Sequence, residues 1–486
     1  MNTEQTFPVL HCNEIIDATG GTIMSGTMGR VFHGVSTDSR QIRSGNLYIP
    51  LKGEKFDGHD FIADAIRDGA GGFLVQKDSK KRINQAFENA TIIGVEDTLK
   101  ALGDIARFWR KKSKATVVAI TGSSGKTTTK EMVACIAGLK KKVLKAQGNF
   151  NNLIGLPLTI LQINDHHEAV ILEMGTNTRG EIGRLTRIAE PDIGLITNIG
   201  PVHLEGLKSV DIVREEKCDL FRNMAVSGVA IINIDDEKLL ISDDEWRGRA
   251  VTFGFRKYAD VSADNIKNNG IRGVSFTLKI ETFQQEIIMS PVGNHNITNA
   301  LAAAASSWAL GIDFPTICQG LTAFQPISGR MEIYRLNTGV FIINDTYNAN
   351  PASFREALKT LKDLKGDHSS IVVMGDMLEL GDRAEEMHED IGSLMADTEV
   401  GAIFLRGRLS PATAAGALKR NMPKDKIFFF ETPDEIISHL SSYVKEGDWI
   451  LVKGSRQTKM EETVQKIMKV FGLEGDLRNG IRGIVK

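Results

Sequence analysis

Val117-Val118-Ala119-Ile120-Thr121-Gly122-Ser123-Ser124-Gly125-Lys126-Thr127-Thr128-Thr129 decides the fold. Its first residues form a short, apolar, β-branched run that reads as a buried strand. The chain breaks at Gly122, turns through two serines to Gly125 and re-enters regular structure at Lys126. Residues 127–137, with Met132, Val133, Cys135 and Ile136 on apolar positions, read as the helix that follows. Strand, glycine-rich turn and helix N-terminus make an anion site: successive backbone N–H groups converge, the helix dipole favours negative charge, and Lys126 adds a cation. Thr127 then offers its hydroxyl to a magnesium ion. Ile120 stands where the strict phosphate-loop pattern asks for its first glycine, so this is a shortened relative with two residues between its glycines. The alternative is a tight β-to-α turn with a surface lysine. The ordered strand, turn, lysine and two hydroxyls weigh against that, and a nucleoside triphosphate is expected here.

Outward from this loop, residues 113–327 alternate strand and helix, which predicts a mostly parallel sheet. Strands are expected at 142–144, 169–172 and 193–197, an antiparallel pair at 274–280 and 286–289, and an alanine-rich helix from 293 to about 310. The 169–172 strand ends at Glu173-Met174-Gly175 and the 193–197 strand at Asn198-Ile199-Gly200-Pro201-Val202-His203. Ligands of open parallel sheets bind beyond the carboxyl ends of the strands. Glu173 and His203 therefore fall on the edge that carries the phosphate loop. Glu173 is the acidic residue a phosphate-bound magnesium needs opposite Thr127. His203 is a second candidate ligand or a structural histidine. Lys217, within Arg214-Glu215-Glu216-Lys217-Cys218, lies on a charged amphipathic helix and by periodicity alone reads as solvated.

Residues 1–112 read as a smaller α/β domain with strands at 47–51, 72–75 and 92–95 and a helix at 61–67. Two polar loops there, around Asp38-Ser39-Arg40 and Asp57-Gly58-His59-Asp60, are either ligand-holding or plain surface. The basic run Arg110-Lys111-Lys112-Ser113-Lys114 reads as a solvated linker. Beyond Gln325-Pro326-Ile327-Ser328-Gly329-Arg330 the alternation restarts, with strands at 340–343, 370–374, 402–405, 427–430 and 449–452. Residues 328–486 thus read as a doubly wound, Rossmann-like sheet. Its first strand is followed by Asp345-Thr346-Tyr347-Asn348-Ala349-Asn350-Pro351 rather than a dinucleotide fingerprint, which argues against nicotinamide or flavin.

Composition is that of an ordinary globular protein. At 486 residues the chain exceeds one core. A net charge of -2 gives no case for nucleic acid or anionic membrane. Cys12, Cys135, Cys218 and Cys318 have no metal-ligand spacing and read as reduced. Met1-Asn2-Thr3-Glu4-Gln5 lacks a signal-peptide layout and no apolar run spans a bilayer, so a cytoplasmic, monomeric protein without membrane insertion is expected.

Together these motifs resemble the Mur ligase family, ATP-dependent amide-forming enzymes of bacterial cell-wall synthesis, and within it the dipeptide-adding members. The resemblance covers essentially the whole chain. It rests on residues 121–129, 148–152 with Gly155 and Pro157, Glu173-Met174-Gly175, 293–299, Gly329-Arg330, 345–351, 375–381 and Lys453-Gly454-Ser455-Arg456. It implies a first domain holding a UDP-N-acetylmuramoyl-tripeptide through Ser39, Arg40, Asp57, Gly58 and His59, with Asn151 and Asn152 also on the substrate side. The middle domain would hold ATP at Gly122, Ser123, Ser124, Gly125, Lys126, Thr127 and Thr128, with Asn296 and Asn299 by the adenine. Arg330 and Asp345 would reach the nucleotide from the hinge and third domain. That domain would take D-alanyl-D-alanine through Tyr347, Asn348, Asn350, Lys453, Ser455 and Arg456. Two magnesium ions are implied, on Thr127, Glu173, His203 and Lys217, the last as a carbamate, which reverses its solvated reading.

The expected chemistry is γ-phosphoryl transfer to the tripeptide carboxylate, giving an acyl-phosphate that the dipeptide amine attacks. Water must be kept from that intermediate, so the third domain is expected to close over the second. The rivals are a single-amino-acid-adding member, folylpoly-glutamate synthetase, and a non-enzymatic nucleotide-binding module. Asn348-Ala349-Asn350 argues against the first. The N-terminal domain argues against the second, and the metal-ligand set against the third.

Overall fold

The computed structural model of the chain describes residues 8–78 and 90–473; the stretch at residues 1–5, read above for a signal-peptide layout, lies outside them. The strand of the phosphate loop runs Thr116–Thr121 in a nine-stranded sheet, between Ile193–Ile196 and Ala169–Glu173. Both neighbours are parallel to it, with Glu173 beside Ile120 and Ile196 beside Thr121. Their carboxyl ends therefore open on one edge. The strand is buried on both faces because its side chains alternate between two cores. Val117 and Ala119 pack with Leu156, Ile160 and Leu185 below the sheet, while Val118 and Ile120 pack with Met132, Val133, Ile297 and Leu301 above it. Burying each such branched aliphatic contributes about 1.5–3 kcal/mol, which is why the fully buried residues 117–120 include no polar side chain.

The sheet extends further than the sequence pattern indicated. Val229–Asn233, Arg249–Gly254 and Val261–Asn268 continue it in parallel before Val274–Ile280 and Phe283–Met289 close the edge as the expected antiparallel pair. The alanine-rich helix runs Asn294–Ala309, and its small side chains let it lie close on the sheet beside the loop helix Lys126–Ala137.

The third sheet has the order Glu332–Arg335, Phe341–Asp345, Trp449–Lys453, Ser370–Gly375, Ala402–Arg406, Ile427–Phe429, antiparallel only at the first pair. It is doubly wound. Phe354, Leu358 and Ile391 cover one face from helices Pro351–Lys365 and Ala384–Asp397; Ile436, Leu440 and Val464 cover the other from Pro433–Tyr443 and Met460–Phe471. The last strand inserts between the first two parallel ones, so Asp345 pairs in register with Lys453 at the switch point. The N-terminal domain carries a five-stranded mixed sheet, with Thr22–Ser25, Thr91–Val95 and Gly72–Gln76 adjacent.

Two expectations need correction. The basic run is not a linker: residues 110–112 are the last turn of helix Thr98–Lys112. Arg110 is buried there, donating to the Ala189 carbonyl at 3.0 Å and to Asp192 Oδ2 at 2.9 Å. A cationic last turn suits the helix dipole, and the guanidinium pins the helix to the middle domain. The 47–51 strand is only Leu47–Tyr48 long, since Pro50 has no N–H to donate to a ladder. All four cysteines are free.

Candidate active site

The loop folds as a tight cradle. Gly122 and Gly125 have φ of 146° and 80°, conformations that side chains disfavour. A Cβ on Gly122 would stand 1.9 Å from Thr197 Oγ1, and one on Gly125 would stand 2.3 Å from Asn299 Oδ1. Asn198 fastens the turn: its carbonyl accepts from Ser123 N at 2.9 Å and its side-chain oxygen from Ser124 N at 2.9 Å. Those two amides serve the loop itself, so the donors offered to an anion begin at Gly125, at the start of the helix. Lys126 curls back, donating to the Gly122 carbonyl at 2.7 Å. Burial holds its ammonium below the usual lysine value; Glu173 and Glu379 oppose that and Arg330 reinforces it.

Thr127 and Glu173 meet as the strand geometry required. The Thr127 hydroxyl donates to Glu173 Oε2 at 2.7 Å, and Asn151 Nδ2 donates to Glu173 Oε1 at 3.0 Å. Arg330, from beyond the hinge, donates to Thr127 Oγ1 at 2.8 Å with its guanidinium 4.1 Å from the Tyr347 ring centroid. Asn152 accepts from Gly155 N at 2.9 Å at the start of the next helix and also lines the cleft between the phosphate loop and the third domain. Asn296 and Asn299 are buried on the first two turns of the alanine-rich helix, joined at 3.2 Å.

His203 has left-handed backbone (φ 53°), and its Nδ1 lies 2.6 Å from Glu379 Oε2 of the third domain. Lys217 is 1% exposed, overturning its solvated reading. No hydrogen bond or ion pair to its ammonium forms among the described residues. Burial pushes it well below the ordinary lysine range; the Lys126 charge adds to this and Glu216 opposes it.

In the third domain Lys453, 1% exposed, pairs with Asp345 and donates to the Asn348 carbonyl at 3.1 Å. Asn350 caps helix Pro351–Lys365, accepting from Ser353 N at 2.8 Å. Ser455 accepts from Leu378 N at 2.9 Å and donates to the Ala349 carbonyl at 3.3 Å, so it ties loops together. Arg456 keeps an exposed guanidinium near Tyr347, with Glu461 at 3.1 Å.

One cavity of about 1090 Å³ joins these groups; Lys126, Thr127, Glu173 and His203 line one wall and Arg330, Asp345, Tyr347, Asn348, Lys453 and Arg456 the other. Lys217 is not in its lining, nor are Ser39, Arg40, Asp57, Gly58 and His59. Arg40 is exposed and forks onto Asp38, at 2.9 and 2.8 Å. His59 is buried with Nδ1 on Asp57 at 2.7 Å and Nε2 accepting from Gln76 N at 3.4 Å, so it supports its loop. Sequence reasoning passed over Asn198 and Glu379. The first stands at the end of the strand beside the phosphate loop; the second lies inside the 375–381 motif.

Three family patterns match along the chain: the Mur ligase middle domain at residues 120–307, the Mur ligase, glutamate ligase domain at 329–456, and the Mur ligase family, catalytic domain at 31–110. Among relatives, the UDP-N-acetylmuramoyl-tripeptide–D-alanyl-D-alanine ligase of Bacillus subtilis is 36% identical over 90% of this chain and 94% of its own length. The MurF structure from Acinetobacter baumannii superposes with a TM-score of 0.86 at 30% identity, covering 96% of this chain and 100% of that one. MurF ligase of Thermotoga maritima, solved in complex with ADP, gives 0.78 at 29% identity over 90% and 97% of the two chains. Among the described residues no helix is long and apolar enough to cross a membrane.

Proposed function

Since the chain belongs to the Mur ligase family, we propose that it joins D-alanyl-D-alanine to the tripeptide carboxylate of UDP-N-acetylmuramoyl-tripeptide in peptidoglycan precursor synthesis. It is an ATP-dependent amide-forming ligase. One observation carries the assignment of residues: a single cavity has the phosphate loop and Glu173 on one wall and the Arg330–Tyr347–Lys453 group of the third domain on the other.

A carboxylate resists attack because it is anionic and would have to expel oxide, so its oxygen must first be phosphorylated. Lys126 and the helix-start amides hold the phosphates, which requires Lys126 to leave the Gly122 carbonyl. Arg330 is placed to follow charge developing near Thr127. Among the described residues no three His, Cys, Asp or Glu side chains converge as a metal group. The Thr127 hydroxyl and Glu173 carboxylate therefore fit a magnesium ion that arrives on nucleotide phosphates and keeps waters, the usual habit of this ion. Such an ion would neutralise phosphate charge during transfer. His203 is the second ligand candidate, through Nε2, because Nδ1 is taken.

Lys217 is assigned as a carbamate. Burial and the Lys126 charge hold this partnerless amine well below the ordinary lysine range, which favours the neutral form, and the neutral amine is the form that attacks carbon dioxide, releasing one proton and leaving an anionic oxygen ligand. Arg456 is assigned to the dipeptide carboxylate, which suits its forked donors. Lys453 and Asp345 neutralise each other and shape the Asn348 turn. The middle and third domains already touch through Arg330–Thr127 and His203–Glu379, the contacts through which the site would be kept from water. Phosphate release that requires both the UDP-tripeptide and an amine tests the proposal; release without either would identify a simple nucleotide hydrolase.

A further inference from the structure

His203 and Glu379 lie 176 residues apart, one beyond a strand of the middle sheet and one in a loop of the third domain, yet 2.6 Å separates Nδ1 from Oε2. The contact is built from both sides. His203 and Glu379 both have left-handed backbone, with φ of 53° and 64°. Such conformations in residues bearing side chains persist where the surroundings enforce them, and they concentrate at functional sites. A second bond crosses the cleft beside the pair, from Glu205 N to the Glu379 carbonyl at 3.3 Å. Gly381 then approaches Glu205 so closely that a Cβ would lie 3.3 Å from its backbone. The Glu379 loop is itself anchored. Leu378 N donates to Ser455 at 2.9 Å, and Met377 N donates to Nε2 of buried His388 at 3.0 Å, while His388 Nδ1 donates to the Ala384 carbonyl at 2.7 Å. A loop held this firmly delivers a carboxylate to a fixed point.

We propose that Glu379 is a positioning residue of the ligation reaction: by accepting from His203 Nδ1 across the domain cleft it selects the tautomer whose Nε2 is bare, so His203, which lines the cavity, is a ready ligand only while the third domain rests on the middle one. An ionised carboxylate has no proton to give, so a neutral imidazole must place its hydrogen on Nδ1. Carboxylates behind ligating histidines act this way, and their loss costs about 10- to 100-fold in metal affinity or activity. The device links domain apposition to a chemical state of one ring. Opening of the cleft releases the imidazole to exchange tautomers, and the site loses a ligand without losing a residue. The inference rests on the reading of His203 as a cavity-facing ligand.

The test uses the full chain with its histidines labelled with nitrogen-15, alongside Glu379→Ala, Glu379→Gln and His203→Ala. In the parent protein without nucleotide or metal, His203 is expected in the Nδ1–H form. Glu379→Ala should shift it to a mixture of forms. Glu379→Gln, whose side-chain oxygen still accepts from Nδ1, should retain most of the Nδ1–H form. Glu379→Ala should lower kcat about 10- to 100-fold while the KM for ATP stays within about twofold, and Glu379→Gln should recover part of the loss. An unchanged His203 tautomer in Glu379→Ala, or a kcat within twofold of the parent, overturns the proposal. His203→Ala separates the two readings: if it is inactive while Glu379→Ala is fully active, only the positioning role fails. If His203→Ala itself is fully active, the ligand reading fails and takes the positioning role with it.

Discussion

Gly125→Ala puts the phosphate cradle under a calculable strain. Gly125 has φ of 80°, and a Cβ there would lie 2.3 Å from Asn299 Oδ1, well inside contact distance. Holding alanine in left-handed backbone costs about 1–2 kcal/mol. Asn299 can yield only by turning its amide, which breaks its 3.2 Å bond to Asn296 Oδ1 and costs about 1 kcal/mol more. The total of about 2–3 kcal/mol must appear somewhere. If the loop holds its shape, the whole protein loses that stability. If the loop relaxes, nucleotide binding must restore it and weakens by about 30- to 150-fold, since 1.4 kcal/mol is tenfold. Urea unfolding and ATP titration calorimetry on the same variant should therefore show losses that sum to about 2–3 kcal/mol. Gly311→Ala is the control. Its φ is 80° as well, but nothing lies within 4 Å of the added methyl, so only the backbone part should appear, all of it in stability. A summed loss below about 1 kcal/mol for Gly125→Ala would refute the cradle geometry.

Other outcomes follow from the same structure. Lys126→Ala should abolish ligation while changing unfolding free energy by no more than about 1 kcal/mol, because the side chain gives up one hydrogen bond to Gly122; turnover near the parent's with saturating ATP would contradict its role. Lys217→Ala should be nearly inactive and partly rescued by a high concentration of a short carboxylic acid. Lys217→Arg should stay inactive, and parental turnover in that variant would rule out the carbamate. Acid stability should depend on Glu245, whose carboxyl sits at about 2 rather than 4.5: burial raises it, but the forked bonds of Arg214, the Ser242 N–H and Arg222 outweigh that. A lowered carboxyl stabilises the fold above its unfolded value and loses that contribution as pH falls from about 4.5 toward 2. Roughly 3 kcal/mol is at stake. Glu245→Gln should be less stable at neutral pH and show a flatter decline in unfolding free energy over that range; parallel curves would refute it.

Much of this was legible in the sequence, for reasons that particular residues make plain. The phosphate loop was readable because a strand buried on both faces leaves no choice but apolar residues, and Gly122 and Gly125 mark turns that side chains cannot make. Glu173 followed from strand order alone, since parallel neighbours end on the same edge. Periodicity alone misplaced Lys217 on the solvated surface, because it reports which helix face is charged and not what covers it; only the family resemblance pointed inward. Arg110 was misread because a charge run looks the same on a linker and on a helix end, and only the Ala189 carbonyl and Asp192 across the fold decide between them. Asn350 and Ser455 spend side-chain hydrogen bonds on a helix cap and a loop tie, and Asn152 spends one on Gly155 N, a division that a motif does not reveal. Glu379 was hidden because its partner lies in another domain.

The joining of D-alanyl-D-alanine to the UDP-tripeptide defines the proposed activity. Its most direct test is mass spectrometry of a reaction containing the protein, ATP, magnesium, UDP-N-acetylmuramoyl-tripeptide and either D-alanyl-D-alanine or D-alanine. A UDP-pentapeptide should form from the dipeptide and no ligated product from the single amino acid. Equal turnover with D-alanine, or ATP consumption with neither acceptor extended, would contradict it.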